Sequence, residues 1–295
     1  MRVTASEFEK EYGRYASLAR RQAVTITNRV RAAVIRLIGM VVWGLPAASA
    51  LAIEQAPSPA TSTVPPHWSY DGEHGPAHWG DVAPEDAVCG NGKSQSPINL
   101  SSGTARAGKN GAFKINYETG TVALLNNGHT VQADVSDTAD TISLDGATYR
   151  LAQFHFHTPS EHTVDGKYYP LEIHFVNKDA EGHVAVVGVL VQAGAENMLL
   201  APIFSTLPAT ATPAGTHAGK PLQVDIAAVL PKEHKAYVYT GSLTTPPCTE
   251  GARWIVLMQP IEMSNAQIQV FKNIFRDNHR PLQKSGGREV DRESD

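Results

Sequence analysis

A stretch of ten residues in the middle of the chain concentrates side chains that bind metals. QFHFHTPSEH (residues 153–162) contains Gln153, His155 and His157 at alternate positions. Residues two apart point to the same face of a β-strand, so these three side chains should project together. Pro159 should end that strand. Two imidazoles on one face of a rigid strand form a preorganised seat for a metal ion.

A third histidine follows in the next strand-like segment, LEIHFVN (171–177), where Glu172 and His174 share one face. Three imidazoles would occupy three positions around zinc and leave one for water, which is the arrangement of a catalytic zinc site. Gln153 and Glu172 each stand two residues before a histidine and could accept its second ring N–H, which fixes the tautomer. Both could equally be ordinary polar residues of a strand.

Glu161 supports a competing interpretation of the same stretch. HFHTPSE satisfies the His-x-His-x3-Glu pattern of the cupin barrels, in which the glutamate joins three histidines around iron, manganese or another divalent ion. That pattern also requires a glycine near position 168, where this chain has Tyr168. It places the last histidine in a separate motif marked by glycine and proline, rather than 13 residues after the glutamate. These two departures weaken the cupin hypothesis.

The surrounding sequence is typical of β-structure. Short alternating or β-branched runs recur from Phe113 onward, separated by turn signals at 126–128, 145–146 and 178–182. One helix is indicated late in the chain, where Ser264 and Gln267 form a capping box before an apolar stripe that ends at Phe275. We expect a mainly β, α+β fold: a single domain over residues 67–288, built around one large, mostly antiparallel twisted sheet with peripheral helices. Residues 289–295 are expected to form a charged tail.

The first fifty residues differ from the rest. Several arginines precede the apolar run LIGMVVWGL (37–45), and the small residues of PAASALA follow it. This order is typical of a secretory signal peptide at 1–52, cleaved after Ala50 or Ala52. An uncleaved anchor is the alternative, although nine apolar residues fall short of the ~20 that span a bilayer. Residues 53–66 are rich in proline, serine and threonine and should form a flexible segment.

Charge and cysteine content narrow the function. Residues 53–295 contain 17 Lys and Arg against 26 Asp and Glu, a net charge of about −9, which argues against a nucleic-acid partner. The two cysteines, Cys89 and Cys248, both follow the signal peptide. A pair of cysteines in an oxidising compartment is most simply one disulfide, and two separate buried thiols are the alternative. We expect a periplasmic or secreted protein without a stable membrane span in its mature form.

Several motifs, all in one order, resemble those of the alpha-class carbonic anhydrases. The resemblance extends from residue 67 to about residue 283. It includes SQSPINL (94–100), LLNNGHTVQADV (124–135), residues 149–179, HVAVVGVL (183–190) and GSLTTPPCTEGARWIVL (241–257). It implies an exported bacterial enzyme that uses zinc to hydrate carbon dioxide reversibly to bicarbonate and a proton. Its partners would be these small molecules and water, and a homodimer is one assembly to test.

The resemblance also implies a role for each matching position. His155, His157 and His174 would bind zinc, with Gln153 and Glu172 as their hydrogen-bond partners. Glu161 would accept a hydrogen bond from Thr244, which orients the zinc-bound hydroxide, and so would not be a ligand. The remaining positions would be a substrate pocket at Val176, Val186, Leu243, Thr245 and Trp254, a proton shuttle at His129, and a water network at Tyr70, Asn127 and Gln132.

Further expectations follow from the same resemblance. Cys89 and Cys248 would form a disulfide, and the peptide bonds at Ser96-Pro97 and Pro246-Pro247 would be cis. His162 is left as a structural residue. Some members of this family have lost zinc ligands and serve as binding modules, which makes a silent interaction domain the second competing hypothesis. The presence of all three histidines argues against it.

Overall fold

The computed structural model describes residues 67–136 and 139–295. The expected signal peptide (1–52) and flexible segment (53–66) lie outside the described residues. Within them, the strands are β1 Asn99–Leu100, β2 Arg106–Asn110, β3 Phe113–Asn116, β4 Thr119–Asn126, β5 Val131–Ser136, β6 Thr141–Leu144, β7 Ala147–His157, β8 Thr163–Val164, β9 Leu171–Lys178, β10 Val184–Ala193, β11 Ala218–Asp225, β12 Lys235–Ser242, β13 Glu250–Met263 and β14 Asp291–Ser294.

The helices are short and lie outside the sheet. The α-helices of the described residues are α1 Trp79–Val82, α2 Val88–Asn91, α3 Ala201–Phe204, α4 Ile226–Val229 and α5 Asn265–Ile274, and 3-10 turns occupy Gly72–His74 and Pro84–Asp86. In α5, Ser264 accepts a hydrogen bond from the backbone of Gln267 and the Gln267 side chain bonds back, so the predicted capping box is present. None of the helices in the described residues is long and apolar enough to cross a membrane.

Twelve strands form one open sheet in the order β11-β4-β5-β7-β9-β10-β13-β12-β14-β2, with β6 joined to β7 and β3 to β6. Two of its neighbouring pairs, β10 with β13 and β14 with β2, are parallel, and the other pairs are antiparallel. This confirms the expected mainly β fold around a large, mostly antiparallel sheet. An open sheet with two edges also differs from the closed barrel that the cupin hypothesis required.

Both faces of the sheet are buried. Along β10, Val187 and Val189 belong to the larger hydrophobic cluster, whereas Val186 and Leu190 belong to a second cluster. Because successive side chains of a strand point to opposite faces, the two clusters cover opposite faces of the sheet. Helix α5 packs Ile268 and its neighbours against the larger cluster. The face covered by the second cluster is therefore the one on which the histidines can lie.

The parity of β7 and β9 places the histidines on that second face. Phe154 and Phe156 in β7, and Phe175 in β9, all lie in the larger cluster. The histidines alternate with these phenylalanines, so they project to the opposite face, as the sequence pattern predicted. The apolar neighbours of the metal-binding residues therefore anchor the two strands in the core.

The carboxyl-terminal segment differs from the expectation of a charged tail after residue 288. Asp291–Ser294 forms β14, which pairs with both β12 and β2. Arg106 of β2 donates to the carboxylate of Asp291 and contacts Glu289 as well. Charged residues are typical of exposed sheet edges, where they discourage pairing with other chains. The sheet therefore continues beyond the predicted end of the domain.

Candidate metal centre and active-site cavity

Strands β7 and β9 bring three histidines together. His155 lies directly opposite His174 in the antiparallel pair, and His157 follows two residues later on the same face. The ring centroids are 5.0 Å apart for His155 and His157, 5.3 Å for His155 and His174, and 4.6 Å for His157 and His174. Nitrogen atoms of the three rings lie within 4.8 Å of one another. The structure therefore assembles the predicted triad.

Each ring has one nitrogen occupied and one free. His155 Nδ1 lies 2.8 Å from Gln153 Oε1, and His157 Nδ1 lies 2.7 Å from the carbonyl oxygen of Asn278. His174 Nε2 lies 3.0 Å from Glu172 Oε1, at an angle poorer than that of a regular hydrogen bond. His155 Nε2, His157 Nε2 and His174 Nδ1 therefore remain available to a metal ion.

One of these nitrogens is both buried and unpaired. His157 is 1% exposed, and its Nε2 has no hydrogen-bond partner among the described residues. An unpaired polar atom in the interior costs roughly 1–3 kcal/mol, which a metal ligand bond would offset. Three imidazole nitrogens, one from each ring, form a donor set that suits zinc. The site therefore fits a zinc ion.

Burial keeps the three rings in the neutral form that binds metals. Burial lowers the pKa of His157 to about 4 and takes the pKa of His155 well below its ordinary value, with the neighbouring imidazoles adding to the effect on His155. Burial also lowers the pKa of His174, although the carboxylate of Glu172 opposes that shift. A neutral imidazole exposes the lone pair that a metal needs, so at pH 7 no proton has to leave before binding.

Glu172 is the centre of a fully buried hydrogen-bond network. Its Oε2 accepts from the backbone amides of Glu161 and His162 at 2.9 and 2.8 Å, and its Oε1 accepts from His162 Nδ1 at 2.8 Å. Beyond it, Tyr239 lies 2.6 Å from His162 Nε2 and 2.9 Å from the hydroxyl of Ser96. This series of hydrogen bonds fixes the position of the Glu172 carboxylate, which faces His174.

The network also determines the charge of Glu172. Burial acts to raise the pKa of this carboxyl group, but His162 and His174 outweigh burial and hold the pKa well below its usual range. Glu172 is therefore ionised at neutral pH and can only accept hydrogen bonds. His162, which the sequence left as a structural residue, supports His174 through this carboxylate.

Glu161 lies behind the triad and beside Thr244. Its Oε1 accepts the backbone N–H of Arg280 at 2.7 Å and stands 3.6 Å from His157 Nδ1, the nitrogen that Asn278 occupies. Its Oε2 has no hydrogen bond of regular geometry. Burial raises the pKa of Glu161, while His174, the Arg280 amide and the hydroxyl of Thr244 act against burial. Oε2 stands 3.8 Å from His174 Nδ1, so the carboxylate lies next to the metal site, beside a free nitrogen of His174.

A cavity of about 570 Å³ is lined by two of the three histidines, His155 and His174. Its wall also includes polar residues, among them Gln132, Gln153, Thr244 and Thr245, and apolar residues, among them Val176, Val186, Leu243 and Trp254. All five predicted substrate-binding positions therefore lie on the cavity wall. Glu161, Tyr70 and Asn127 do not line it.

The loop that carries Thr244 is closed on itself. The amide of Leu243 donates to the carbonyl of Thr249 at 3.0 Å, and that of Cys248 donates to Thr245 at 2.8 Å. Cys248 forms the predicted disulfide with Cys89. The peptide bonds at Ser96-Pro97 and Pro246-Pro247 are cis as expected, and Thr158-Pro159 is cis as well. These constraints hold the two threonines at the cavity wall.

His129 belongs to an aromatic cluster at the start of the described chain. Its ring stacks on Trp68, with centroids 3.5 Å apart, and its Nε2 lies 2.8 Å from Nε2 of His67. Burial lowers the pKa of His129 to about 4, and His67 adds to the shift. Tyr70 packs against the same cluster, and Asn127 caps the turn by accepting the amide of His129. In this position the imidazole does not line the cavity.

Sequence reasoning missed two buried residues of the site. Asn278 is fully buried: its carbonyl group faces His157, its side-chain amide donates to Phe156, and its side-chain oxygen accepts from Thr158. Arg280 is 1% exposed and donates to Gln95 and to backbone carbonyls, which fixes the amide that Glu161 accepts. A ligand partner that is a backbone carbonyl carries no side-chain signal in a sequence.

The arrangement agrees with comparisons to known proteins. The family profile of the eukaryotic-type carbonic anhydrases matches residues 74–294. A carbonic anhydrase from Klebsiella pneumoniae is 45% identical over 226 residues, which cover 76% of this chain and 90% of that protein. One from Pectobacterium carotovorum is 42% identical over 230 residues, covering 78% and 92%.

A solved structure agrees with these relatives. The alpha-carbonic anhydrase from Thermovibrio ammonificans, determined with the inhibitor sulfanilamide, is 41% identical and superposes with a TM-score of 0.72 over 76% of this chain and 98% of that one. The family comprises lyases that contain a metal ion, and the histidine triad gives this chain a site for one. The chain therefore belongs to the alpha, or eukaryotic-type, carbonic anhydrase family.

Proposed function

We propose that this enzyme catalyses the reversible hydration of carbon dioxide to bicarbonate and a proton, with zinc held by His155, His157 and His174. The observation that carries the proposal is the triad, in which each ring keeps at least one nitrogen without a hydrogen bond to the described residues and two rings, His155 and His174, line the cavity. Zinc in carbonic anhydrases as a class lowers the pKa of its coordinated water to about 7, which supplies a nucleophile near neutral pH. Gln153, Asn278 and Glu172 orient the rings that hold it.

Thr244 and Glu161 orient the attacking oxygen in this proposal. Glu161 accepts the Arg280 amide through Oε1, so Oε2 remains to accept the hydroxyl proton of Thr244. Once that proton points to the carboxylate, the oxygen of Thr244 can only accept a hydrogen bond from the nucleophile. When the nucleophile donates its hydrogen to Thr244, one of its lone pairs is directed into the cavity. Thr244 is 6% exposed, so bulk water does not compete strongly for it.

Carbon dioxide has no charge, so its binding site should be apolar. Val176, Val186, Leu243 and Trp254 supply apolar side chains to the cavity wall. The indole N–H of Trp254 donates to the carbonyl of Ser242 at 3.0 Å and is therefore satisfied away from the substrate. Thr245 adds a hydroxyl to the cavity wall. A wall with both apolar and polar residues suits an apolar substrate and an anionic product.

His129 is the proposed proton shuttle, with Tyr70, Asn127 and Gln132 near its path. An imidazole can accept a proton near neutral pH and release it to buffer. In the stacked position its ring lies outside the cavity lining, so shuttling requires the ring to leave Trp68. Gln132 lies on the cavity wall opposite His155 in the β5–β7 pair, and its amide donates to Asp134 at 2.6 Å.

We also propose that the enzyme works outside the cytoplasm, in the periplasm or after secretion. The amino-terminal sequence of residues 1–52 and the Cys89–Cys248 disulfide support this location. Expression of the full chain, followed by fractionation and sequencing of the mature amino terminus, tests it. Full-length protein that stays in the cytoplasm would contradict it.

A stopped-flow carbon dioxide hydration assay on the purified, zinc-loaded chain tests the activity. We expect rapid hydration by the wild type and almost none by His174→Ala, because one of three ligands is lost. Indistinguishable rates would contradict the proposal. Metal analysis of Glu161→Ala separates orientation from ligation: retained zinc with reduced activity fits the proposed role, whereas lost metal would make Glu161 a ligand.

A further inference from the structure

The stacked position of His129 raises the question of which group on the cavity wall first receives the proton. A general base works best when its pKa lies near the working pH. In the stacked position the pKa of His129 is lowered to about 4, and the ring is hydrogen-bonded to His67 rather than directed into the cavity. A base in that state accepts protons poorly at pH 7.

Besides the triad histidines, three described residues of the cavity wall carry titratable side chains: Lys178, His183 and Glu250. A lysine is already protonated at neutral pH. The carboxylate of Glu250 accepts from Ser94 and Gln95, and these bonds outweigh burial and lower its pKa, which makes it a weak base. His183 is therefore the one of the three whose side chain, an imidazole, is a type that commonly accepts and releases protons in catalysis.

The imidazole of His183 is held in one tautomer by Asp179. Nδ1 lies 2.8 Å from Asp179 Oδ2, and a carboxylate can only accept, so Nδ1 carries the proton and Nε2 presents its lone pair. Asp179 Oδ1 accepts from the amides of Glu181 and His183 at 3.0 and 2.8 Å. Both oxygens of Asp179 are thus engaged by N–H donors.

His183 lies at the mouth of the cavity and exchanges freely with solvent. Its side chain is 72% exposed. His174 stands opposite Gly188 in the β9–β10 pair, and Gly188 is five residues beyond His183. His183 and His174 are therefore separated by about 16 Å along the strand direction. That gap is too long for direct transfer, and the cavity is large enough for a file of waters to bridge it.

The charges around His183 come from several elements. The turn itself contributes Asp179 and Glu181. Strand β9 contributes Lys178, which stands opposite Arg150 in the register of β7 and β9. Glu250 of β13 also lines the cavity, as do His155 and His174. The contact with His183 outweighs the effect of burial and holds the pKa of Asp179 below its usual range, so this carboxylate is ionised at neutral pH. An ionised partner stabilises the imidazolium that forms when Nε2 accepts a proton.

We propose that His183, positioned by Asp179, is a second proton-transfer group of this enzyme and acts in parallel with His129. The inference rests on the proposed carbon dioxide hydration. Through the cavity waters, Nε2 accepts the proton that hydration releases, and the ring becomes an imidazolium hydrogen-bonded to Asp179. A buffer base then removes that proton at the exposed ring and restores the starting tautomer. No other bond is formed or broken.

The test measures the turnover number, kcat, in weak buffer and again with added imidazole. His183→Ala should lower kcat in weak buffer about twofold, because one of two parallel routes of comparable rate is lost, and leave kcat/KM unchanged. The double variant His183→Ala/His129→Ala should lose on the order of 10²-fold. Asp179→Asn should show a weak-buffer loss of the same kind as His183→Ala. Imidazole should restore all three variants.

His234→Ala is the matched control. His234 Nδ1 also bonds a carboxylate, that of Asp295 at 2.5 Å, but it precedes β12, on the order of 25 Å along that strand from the Thr244 loop. If His183→Ala equals this control in weak buffer, both alone and with His129→Ala, the inference is overturned. A wild type that does not hydrate carbon dioxide at all would instead contradict the proposed function itself.

Discussion

Replacing His162 by phenylalanine should destabilise the protein strongly, although His162 binds no metal in this account. The substitution keeps a ring of similar size in a fully buried position and removes both ring nitrogens. Glu172 then loses the Nδ1 donor at 2.8 Å, and the hydroxyl of Tyr239 loses its contact with Nε2 at 2.6 Å but keeps the one with Ser96 at 2.9 Å. The two backbone amides that bind Glu172 Oε2 are unchanged, so the loop should keep its path.

The magnitude follows from these two lost contacts. A hydrogen bond to a charged group contributes about 1.5–3 kcal/mol, and an ordinary hydrogen bond about 0.5–1.5 kcal/mol. Together they predict a loss of roughly 2–4 kcal/mol in the free energy of unfolding. For a domain of this size that corresponds to a decrease in Tm of roughly 10 °C. Because Glu172 would orient His174 less firmly, zinc affinity should also fall about 10- to 100-fold.

The assay is urea unfolding of the zinc-free protein, together with zinc competition against a chromophoric chelator. His217→Phe is the matched control, since His217 also contacts a carboxylate, Asp134, at 2.8 Å, but its side chain is 43% exposed. An exposed pair of this kind contributes about 0–1 kcal/mol. Equal losses for the two variants would refute the argument that burial gives the Glu172 network its importance.

Three further predictions follow from the structure. Reducing the Cys89–Cys248 disulfide should lower Tm before it changes turnover, because a loop of 159 residues is released and the loop-entropy argument gives about 4–5 kcal/mol; unchanged melting after complete reduction would contradict it. The pKa of His129 is about 4 in the folded state and ~6.5 in the unfolded chain, so the unfolded chain binds more protons between these two pH values. The free energy of unfolding should therefore fall as the pH drops from 6.5 toward 4. The urea midpoints of His129→Gln should fall less steeply over this range, and a slope identical to that of the wild type would refute the assignment. Thr244→Val should retain one zinc per chain and lose on the order of 10²-fold in kcat/KM, and wild-type kinetics would rule out its orienting role.

Much of the metal centre was predictable because strand geometry is regular. The alternation of Phe154, His155, Phe156 and His157 fixes which side chains share a face, whatever the strand pairs with. The pairing of β7 with β9 was harder to predict from the sequence. His155 faces His174 across a connection that includes a cis proline at 159, and no local turn rule gives the register of such a long connection.

The remaining parts of the site depend on contacts distant in sequence. Asn278 reaches His157 through a carbonyl group that every residue has, 121 positions away. Arg280 acts through its backbone amide on Glu161. The position of His129 depends on Trp68 and His67, whose approach is a matter of tertiary packing. A motif identifies a shuttle position, but only the fold shows which way its ring is turned.

The edge of the sheet illustrates a similar limit. Asp291–Ser294 is short and charged, with none of the alternation that marks a half-buried strand, and so resembles a tail in sequence. It forms a strand because β12 and β2 offer unpaired backbone groups on either side. Backbone pairing of this kind does not depend on side-chain pattern.

Zinc titration of the metal-free protein, followed by stopped-flow carbon dioxide hydration, tests the central claim most directly. The three free nitrogens of His155, His157 and His174 form one site. We therefore expect no hydration without metal, a linear rise in rate with added zinc, and a sharp plateau at one zinc per chain. Hydration that is already complete without zinc, or zinc bound at one per chain without any hydration, would contradict the account.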